Sequence, residues 1–199
     1  MSSRAVFGIM IGGMFFLLVI GVINGRVINT TVLIQEGHVG RTKGNTGSIY
    51  HGLKEVEWNS YVGKEVARIL VNNDIDVKRV GADIPISNAT IAIAIHFDGS
   101  DQHCATGASI GHDGSFESKK LANAWKRQYD KFFPFKWHKD NFTPNLRDYY
   151  GFKRVTASKG FLVMELGEIT CERQTRWLKP RLKQVAQEIA NFIIKELKK

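Results

Sequence analysis

The spacing of apolar and polar residues changes character several times along the chain, and each pattern predicts a different element. From Ala5 to Gly25 the run AVFGIMIGGMFFLLVIGVING contains no charge. At ~1.5 Å per residue its 21 residues make a helix of about 31 Å, close to the ~30 Å hydrocarbon thickness of a bilayer. This predicts an N-terminal transmembrane helix within residues 1–26, and with no A-x-A pattern after it, an uncleaved signal-anchor. Beyond it the period shortens. VINTTVLI, DIDVKRV, TIAIAIH, TGASI and GFLVME read as strands, and in TIAIAIH Ile91, Ile93 and Ile95 alternate with Ala92, Ala94 and His96. A helical period takes over near Leu53, where Trp58, Val62, Val66, Ile69 and Leu70 fall on one face. A second helix, capped by Ser115 or Ser118, would bury Leu121, Trp125, Tyr129 and Phe132. A third would bury Leu178, Leu182, Val185, Ile189, Phe192 and Ile193. GHVGRTKGNTGSIYHG is a glycine-rich loop, and residues 134–151 read as a long surface segment. Strands alternating with crossover-length helices predict one α/β domain over residues 27–199, a three-layer αβα arrangement around a largely parallel twisted sheet.

Charge narrows the partners. The formal net charge is +9, and removing Arg4 and Arg26, the only charges in residues 1–26, leaves +7 on the following domain. Such a domain seeks polyanions. Zinc-finger spacing, an RNP-like aromatic strand and a P-loop are all missing, so lipid head groups or cell-wall polymers are expected rather than nucleic acid. Arg4 and Arg26 flank the apolar run symmetrically and leave its orientation to the chemistry. Cys104 and Cys171 form no C-x-x-C, which suits an exported domain with few or no disulfides.

Three chemically capable side chains stand at strand ends: His38 after the first strand, His96 ending TIAIAIH, and Glu165 ending FLVME. In open α/β sheets ligands gather beyond the carboxyl ends of the strands. Glu55 falls in the first turn of the first long helix, where the dipole favours a carboxylate in any case. Two imidazoles and a carboxylate are the His₂Glu set of hydrolytic zinc, with one position open to water and a second carboxylate available as base. The donors are scattered along the chain and there is no H-E-x-x-H, so spacing alone is a weak signal.

The motifs carry more. VLIQEGHVG, EVEWNSYVGKEVARIL, AIAIHFDGS, ATGASI with SKKLANAW, and VMELGEITCERQ together resemble the zinc-dependent N-acetylmuramoyl-L-alanine amidases of the amidase-3 type over about residues 32 to 195. These are enzymes of bacterial cell division, spore germination and phage lysis. The resemblance implies Zn²⁺ held by His38, Glu55 and His96, with Glu57 the alternative to Glu55, and Glu165 as the catalytic base. It implies peptidoglycan as the partner and the amide between N-acetylmuramic acid and L-alanine as the scissile bond. Asp98 stands where the family usually has Asn, Glu168 where it has Phe and Cys171 where it has Asn. The connection across residues 80 to 90 is shorter than usual and lacks the family's arginine. The loops holding Cys104 and Cys171 follow His96 and Glu165 closely, and whether the two cysteines pair is left open. His51, His103, His112 and His138 are expected in solvated loops, with His103 or His112 able to line the cleft. Another zinc amidohydrolase or carboxypeptidase, or a silent wall-binding module, are the competing readings.

The expected location is the cytoplasmic membrane, single-pass, with the catalytic domain outside. Only Arg26 and Val27 separate the uncharged run from the first strand, and Gly8, Gly12, Gly13, Gly21 and Gly25 weaken that run relative to a Leu-rich span. In this it resembles the signal-arrest-release segments of some phage endolysins, which implies an enzyme held first and released later.

Overall fold

The computed structural model describes residues 27–199, so the anchor expected in residues 1–26 lies outside the described residues. Among the described residues no helix is long and apolar enough to cross a membrane. Along the chain run β1 (Ile28–Glu36), a two-residue pair β2 (Ile49–Tyr50) and β3 (Leu53–Lys54), α1 (Glu55–Val71), β4 (Val77–Val80), β5 (Ser87–Asp98), β6 (Ala108–His112) and α2 (Phe116–Tyr129). Then follow α3 (Pro144–Arg147), a 3₁₀ turn at Tyr150–Lys153, β7 (Val155–Ala157), β8 (Phe161–Glu168), α4 (Glu172–Leu178) and α5 (Leu182–Leu197). The sheet has the order β4-β1-β5-β8-β6, with β7 paired to the start of β5. All pairs are parallel except β6 on β8, which is antiparallel and closes one edge.

One face of the sheet is built from the β-branched positions. Val32, Ile34, Ile91, Ile93 and Ile95 pack against Val62, Val66 and Leu70 of α1, Leu121 and Trp125 of α2, and Val185, Ile189 and Phe192 of α5. Each such side chain contributes roughly 1.5–3 kcal/mol relative to an exposed one. The helical faces read from the sequence are the ones buried. Two details differ. α2 stops at Tyr129, so Phe132 lies past its end and packs instead on Trp177, ring centroids 5.0 Å apart. The last predicted helix is two, because Pro180 lacks an amide hydrogen and sits in a 3₁₀ turn between α4 and α5.

The opposite face departs from the three-layer expectation. It presents Leu33, Ala92, Ala94 and Val163, and among the described residues no long helix covers it. β4 ends level with Gln35 and β5 begins level with Ile28, so residues 81–86 must return about 23 Å in near-extended form. A helix does not fit there, and Ile84 packs down as the chain passes. The alanines leave a shallow surface, and Phe142, Leu146, Tyr149 and Phe152 fill it. The segment read as a surface loop is therefore the second layer.

Candidate metal centre and cleft

The turn after β1 puts His38 at φ 64, a left-handed conformation uncommon outside glycine, and buries its ring. Gly37 before it has no room for a side chain: a Cβ there would stand 2.4 to 2.7 Å from the ring atoms of His96. His38 Nδ1 lies 3.0 Å from the carbonyl of Asn45, which accepts its hydrogen and leaves Nε2 turned inward. Glu55 opens α1. Lys54 before it makes no side-chain cap, and the first helical amide donates instead to the carbonyl of Ser48. Glu55 Oε2 accepts from the Ser48 amide at 2.9 Å, and Oε1 from Asn59 Nδ2 at 3.2 Å. Asn59 also donates to the Gly37 carbonyl, tying helix to turn.

Glu55 Oε1 is 3.1 Å from His38 Nε2 and 3.1 Å from His96 Nδ1. One donor atom from each of the three residues lies within 4.8 Å of the others, and among the described residues no other group of three His, Cys, Asp or Glu is gathered this closely. Tetrahedral ligands at ~2.0–2.2 Å from a zinc ion stand roughly 3.4 Å apart, so the donor set fits such an ion. Glu57 is excluded from the group: it is exposed and paired with Lys54 at 3.0 Å. Burial would raise the Glu55 carboxyl, but hydrogen bonds from His38 and His96 hold it well below the usual carboxylate range. Burial lowers His38, and the Glu55 contact more than restores it, so the ring ends above its ordinary value.

Glu165 pairs in register with His96 on the neighbouring strand. It lies inside β8 rather than at its end. Beyond the pair the register slips, with Asp98 opposite Glu168 and Gly167 at φ 144 taking up the extra residue of a bulge. Glu165 Oε2 and His96 Nε2 are both buried with no hydrogen-bond partner, which is costly unless a ligand or proton answers them. The neighbours of Glu165 are acidic rather than basic: burial first, then Asp98 and Glu55, push its carboxyl well above the ordinary value.

The three departures from the amidase motifs turn out to be linked. Glu168 is fully buried, and its oxygens accept from the amides of Cys104 and Thr106, both at 2.7 Å, and from the hydroxyls of Thr106 and Thr170. Cys104 and Cys171 are joined by a disulfide. Both features pin residues 99–106, the loop after His96, to the loop after Glu165. Asp98, the last residue of β5, leads into that loop and lines the cleft, its carboxyl raised chiefly by burial.

The cleft measures about 590 Å³, within the range of small-ligand sites. His38, Glu55, His96 and Glu165 form its floor and Phe142, Asn145 and Tyr149 one wall. This wall was missed in the sequence, although Thr143 followed by Pro144 is a helix-start signal, and Thr143 does cap α3 by accepting from the Leu146 amide. Tyr149 donates to Gln35 Oε1 at 2.8 Å and sets its ring edge-on to His96. Among the described residues Arg41 is the one Lys or Arg on the cleft lining. The other histidines stay apart from the centre. His51 and His103 are exposed beside Tyr50, and His138 stacks on Phe142. His112, expected in a solvated loop, is instead buried in β6 and bonded to Asn141, away from the cleft lining.

A family model described as N-acetylmuramoyl-L-alanine amidase, Amidase_3, matches residues 32–195. No curated protein matches the chain. Among solved structures, the amidase AmiC2 of Nostoc punctiforme is 23% identical, with TM-score 0.62, over 85% of this chain and 98% of that one. The catalytic domain of CwlV from Bacillus (Paenibacillus) polymyxa var. colistinus is 17% identical, with TM-score 0.64, over 85% and 98%. The N-acetylmuramoyl-L-alanine amidase of Clostridium difficile 630 is 17% identical, with TM-score 0.63, over 86% and 97%. At these identities the likeness is one of fold.

Proposed function

The chain belongs to the Amidase_3 family of N-acetylmuramoyl-L-alanine amidases, and from that premise we propose that it hydrolyses the amide between N-acetylmuramic acid and L-alanine in peptidoglycan, with His38, Glu55 and His96 as the residues that would hold zinc. The observation that carries this reading is the convergence of those three donors beside the unpartnered Glu165 carboxyl at the floor of one cleft. Zinc bound there supplies Lewis acidity, making a water more acidic and the substrate carbonyl more electrophilic. Glu165 takes a proton from the attacking water and delivers it to the departing alanine nitrogen, so the muramic acid keeps a carboxylate and the peptide leaves with a free amine. Burial and acidic neighbours raise the Glu165 carboxyl, a direction that suits a group required to give a proton back as well as take one. Asn59 and the Ser48 amide fix the Glu55 carboxylate, and the Asn45 carbonyl fixes the His38 tautomer. Digestion of purified peptidoglycan, with product masses read by spectrometry, tests the assignment: sugar-free stem peptides beginning at L-alanine support it, and cleavage within the peptide contradicts it.

The same proposal holds the chain at the outer face of the cytoplasmic membrane through residues 5–25, with later release. Support comes from the uncharged 21-residue run and its five glycines. Replacing Gly8, Gly12, Gly13 and Gly21 with Leu should keep the protein in the membrane fraction and delay wall cutting. Unchanged partition and timing would remove the release step and leave the amidase assignment standing.

A further inference from the structure

The end of the sheet where the parallel strands begin has its own composition. Ile28 starts β1 level with Ser87, and its amide donates to the carbonyl of Ile86. Ser87 in turn donates to the carbonyl of Arg154, just before β7. Ser158 and Lys159 continue the same edge by bonding to Ala89 and Thr90. Lys159 reaches the last turn of α5, donating to the carbonyls of Glu196 and Leu197. Phe116, the first residue of α2, shares a shallow depression with Lys120, Lys159 and Lys199. Four exposed apolar side chains stand toward this end, Val27 at 43%, Ile86 at 49%, Val71 at the end of α1 at 57% and Phe116 at 76% exposure. Around them Lys120, Lys153, Arg154, Lys198 and Lys199 are exposed cations. Acids stand here too but are fewer than the cations: Asp74, Asp113 and Glu117 are exposed, Asp76 meets the Thr31 amide, and Glu196 is buried and paired with Lys199. The cleft at the other end of the strands is lined by Glu55, Asp98, Asp148 and Glu165 against Arg41 alone.

The chain leaves the described residues at this basic, apolar end. Val27 is preceded by Arg26 and then by the uncharged run ending at Gly25, and two extended residues reach only ~7 Å. We propose that the strand-start end is a docking face for an anionic lipid bilayer, with Phe116 seated in the interface and Lys120, Lys153, Arg154 and Lys198 against lipid phosphates, so that the cleft points away from the membrane. The inference rests on the reading of residues 5–25 as a membrane segment. An exposed Phe among cations can seat at the boundary of head groups and acyl chains, and juxtamembrane cations are drawn to acidic lipid within a Debye length.

Hydrogen exchange on the full chain tests it, reconstituted in vesicles containing phosphatidylglycerol, in phosphatidylcholine vesicles and in detergent. Peptides covering residues 113–120 and 152–159 should exchange about tenfold more slowly on the acidic vesicles than in detergent, while residues 41–48 and 142–150 of the cleft are unchanged. The Lys120→Glu, Arg154→Glu double variant should lose that protection and keep wild-type turnover of a soluble muropeptide in detergent. Equal protection on both vesicle types, protection at the cleft, or no response to the double variant would overturn the proposal. So would protection by isolated wall polymer with none from acidic vesicles, or recovery of the chain free of vesicles. Docking without amidase turnover in the wild type would instead count against the catalytic assignment and leave this face intact.

Discussion

The two ends of the sheet spend charge in opposite ways. Where the strands finish, acids and imidazoles are buried: Glu55 and Glu168 have every oxygen answered by hydrogen bonds, and Glu165 has one left bare. Where the strands begin, charge is kept in water and apolar side chains are the ones left uncovered. The packed centre of Val32, Ile34, Ile91, Ile93 and Ile95 lies between them and belongs to neither. At the cleft end the answered carboxylates hold other groups in place, Glu55 the two imidazoles and Glu168 the backbone at residues 104 and 106, whereas the bare oxygen of Glu165 sets it apart and suits the proton transfer proposed for it.

The largest expected effect comes from removing a donor at the cleft end. His38→Ala or His96→Ala should lose both bound zinc and turnover, a loss beyond the ~10²–10⁴ typical of one proton-transfer group, while the helix-covered core stays folded. Metal analysis alongside a turnover assay checks this, and retention of both would break the distinction. Next comes Glu165→Gln, which should keep zinc but lose about 10²–10⁴ in kcat. In the metal-free protein the same change should be stabilising at neutral pH. The folded state binds the Glu165 proton more tightly than the unfolded chain, so wild-type stability falls as pH rises above the ordinary value of 4.5, whereas the amide has no such dependence. Thermal midpoints taken across pH should therefore show the variant's advantage at pH 7 and its disappearance near pH 4.

Smaller and different in kind is the pinned loop. Cys104→Ser with Cys171→Ser releases a crosslink of sequence separation 67, worth about 4 kcal/mol by the chain-entropy model, so denaturant midpoints should drop while zinc binding persists. Loss of zinc in that variant would show that the loop holds the centre and not only the rim. Smallest is Phe116→Ser at the far end, expected to shift stability by no more than about 0.5 kcal/mol and turnover not at all.

Much of this was legible from the sequence because periodicity reports burial. The Trp58, Val62, Val66 face of α1 and the alternation of TIAIAIH marked the helix-covered layer. The residues His38, Glu55, His96 and Glu165 were legible from motifs, although their meeting depends on register between strands far apart in sequence, which no local pattern carries. Residues 134–151 were misread because their aromatic side chains follow no helical or strand period. They fill a surface made shallow by Ala92 and Ala94, and that fit exists only after β4 and β5 are paired to β1. The buried state of Glu168 was hidden for a similar reason. Its partners are backbone amides of a loop more than sixty residues away, and a carboxylate in a strand gives no sign of them.

In the proposed reaction His38, Glu55 and His96 hold a zinc ion on which amide cleavage depends. The most direct measurement is a chelator and zinc titration of the purified full chain acting on peptidoglycan, with release of stem peptides that begin at L-alanine as the readout. Activity should disappear as metal is stripped, return at about one zinc per chain, and fail to return in His96→Ala. Full release of those peptides from chelated protein, or recovery by zinc in the His96→Ala variant, would contradict the account.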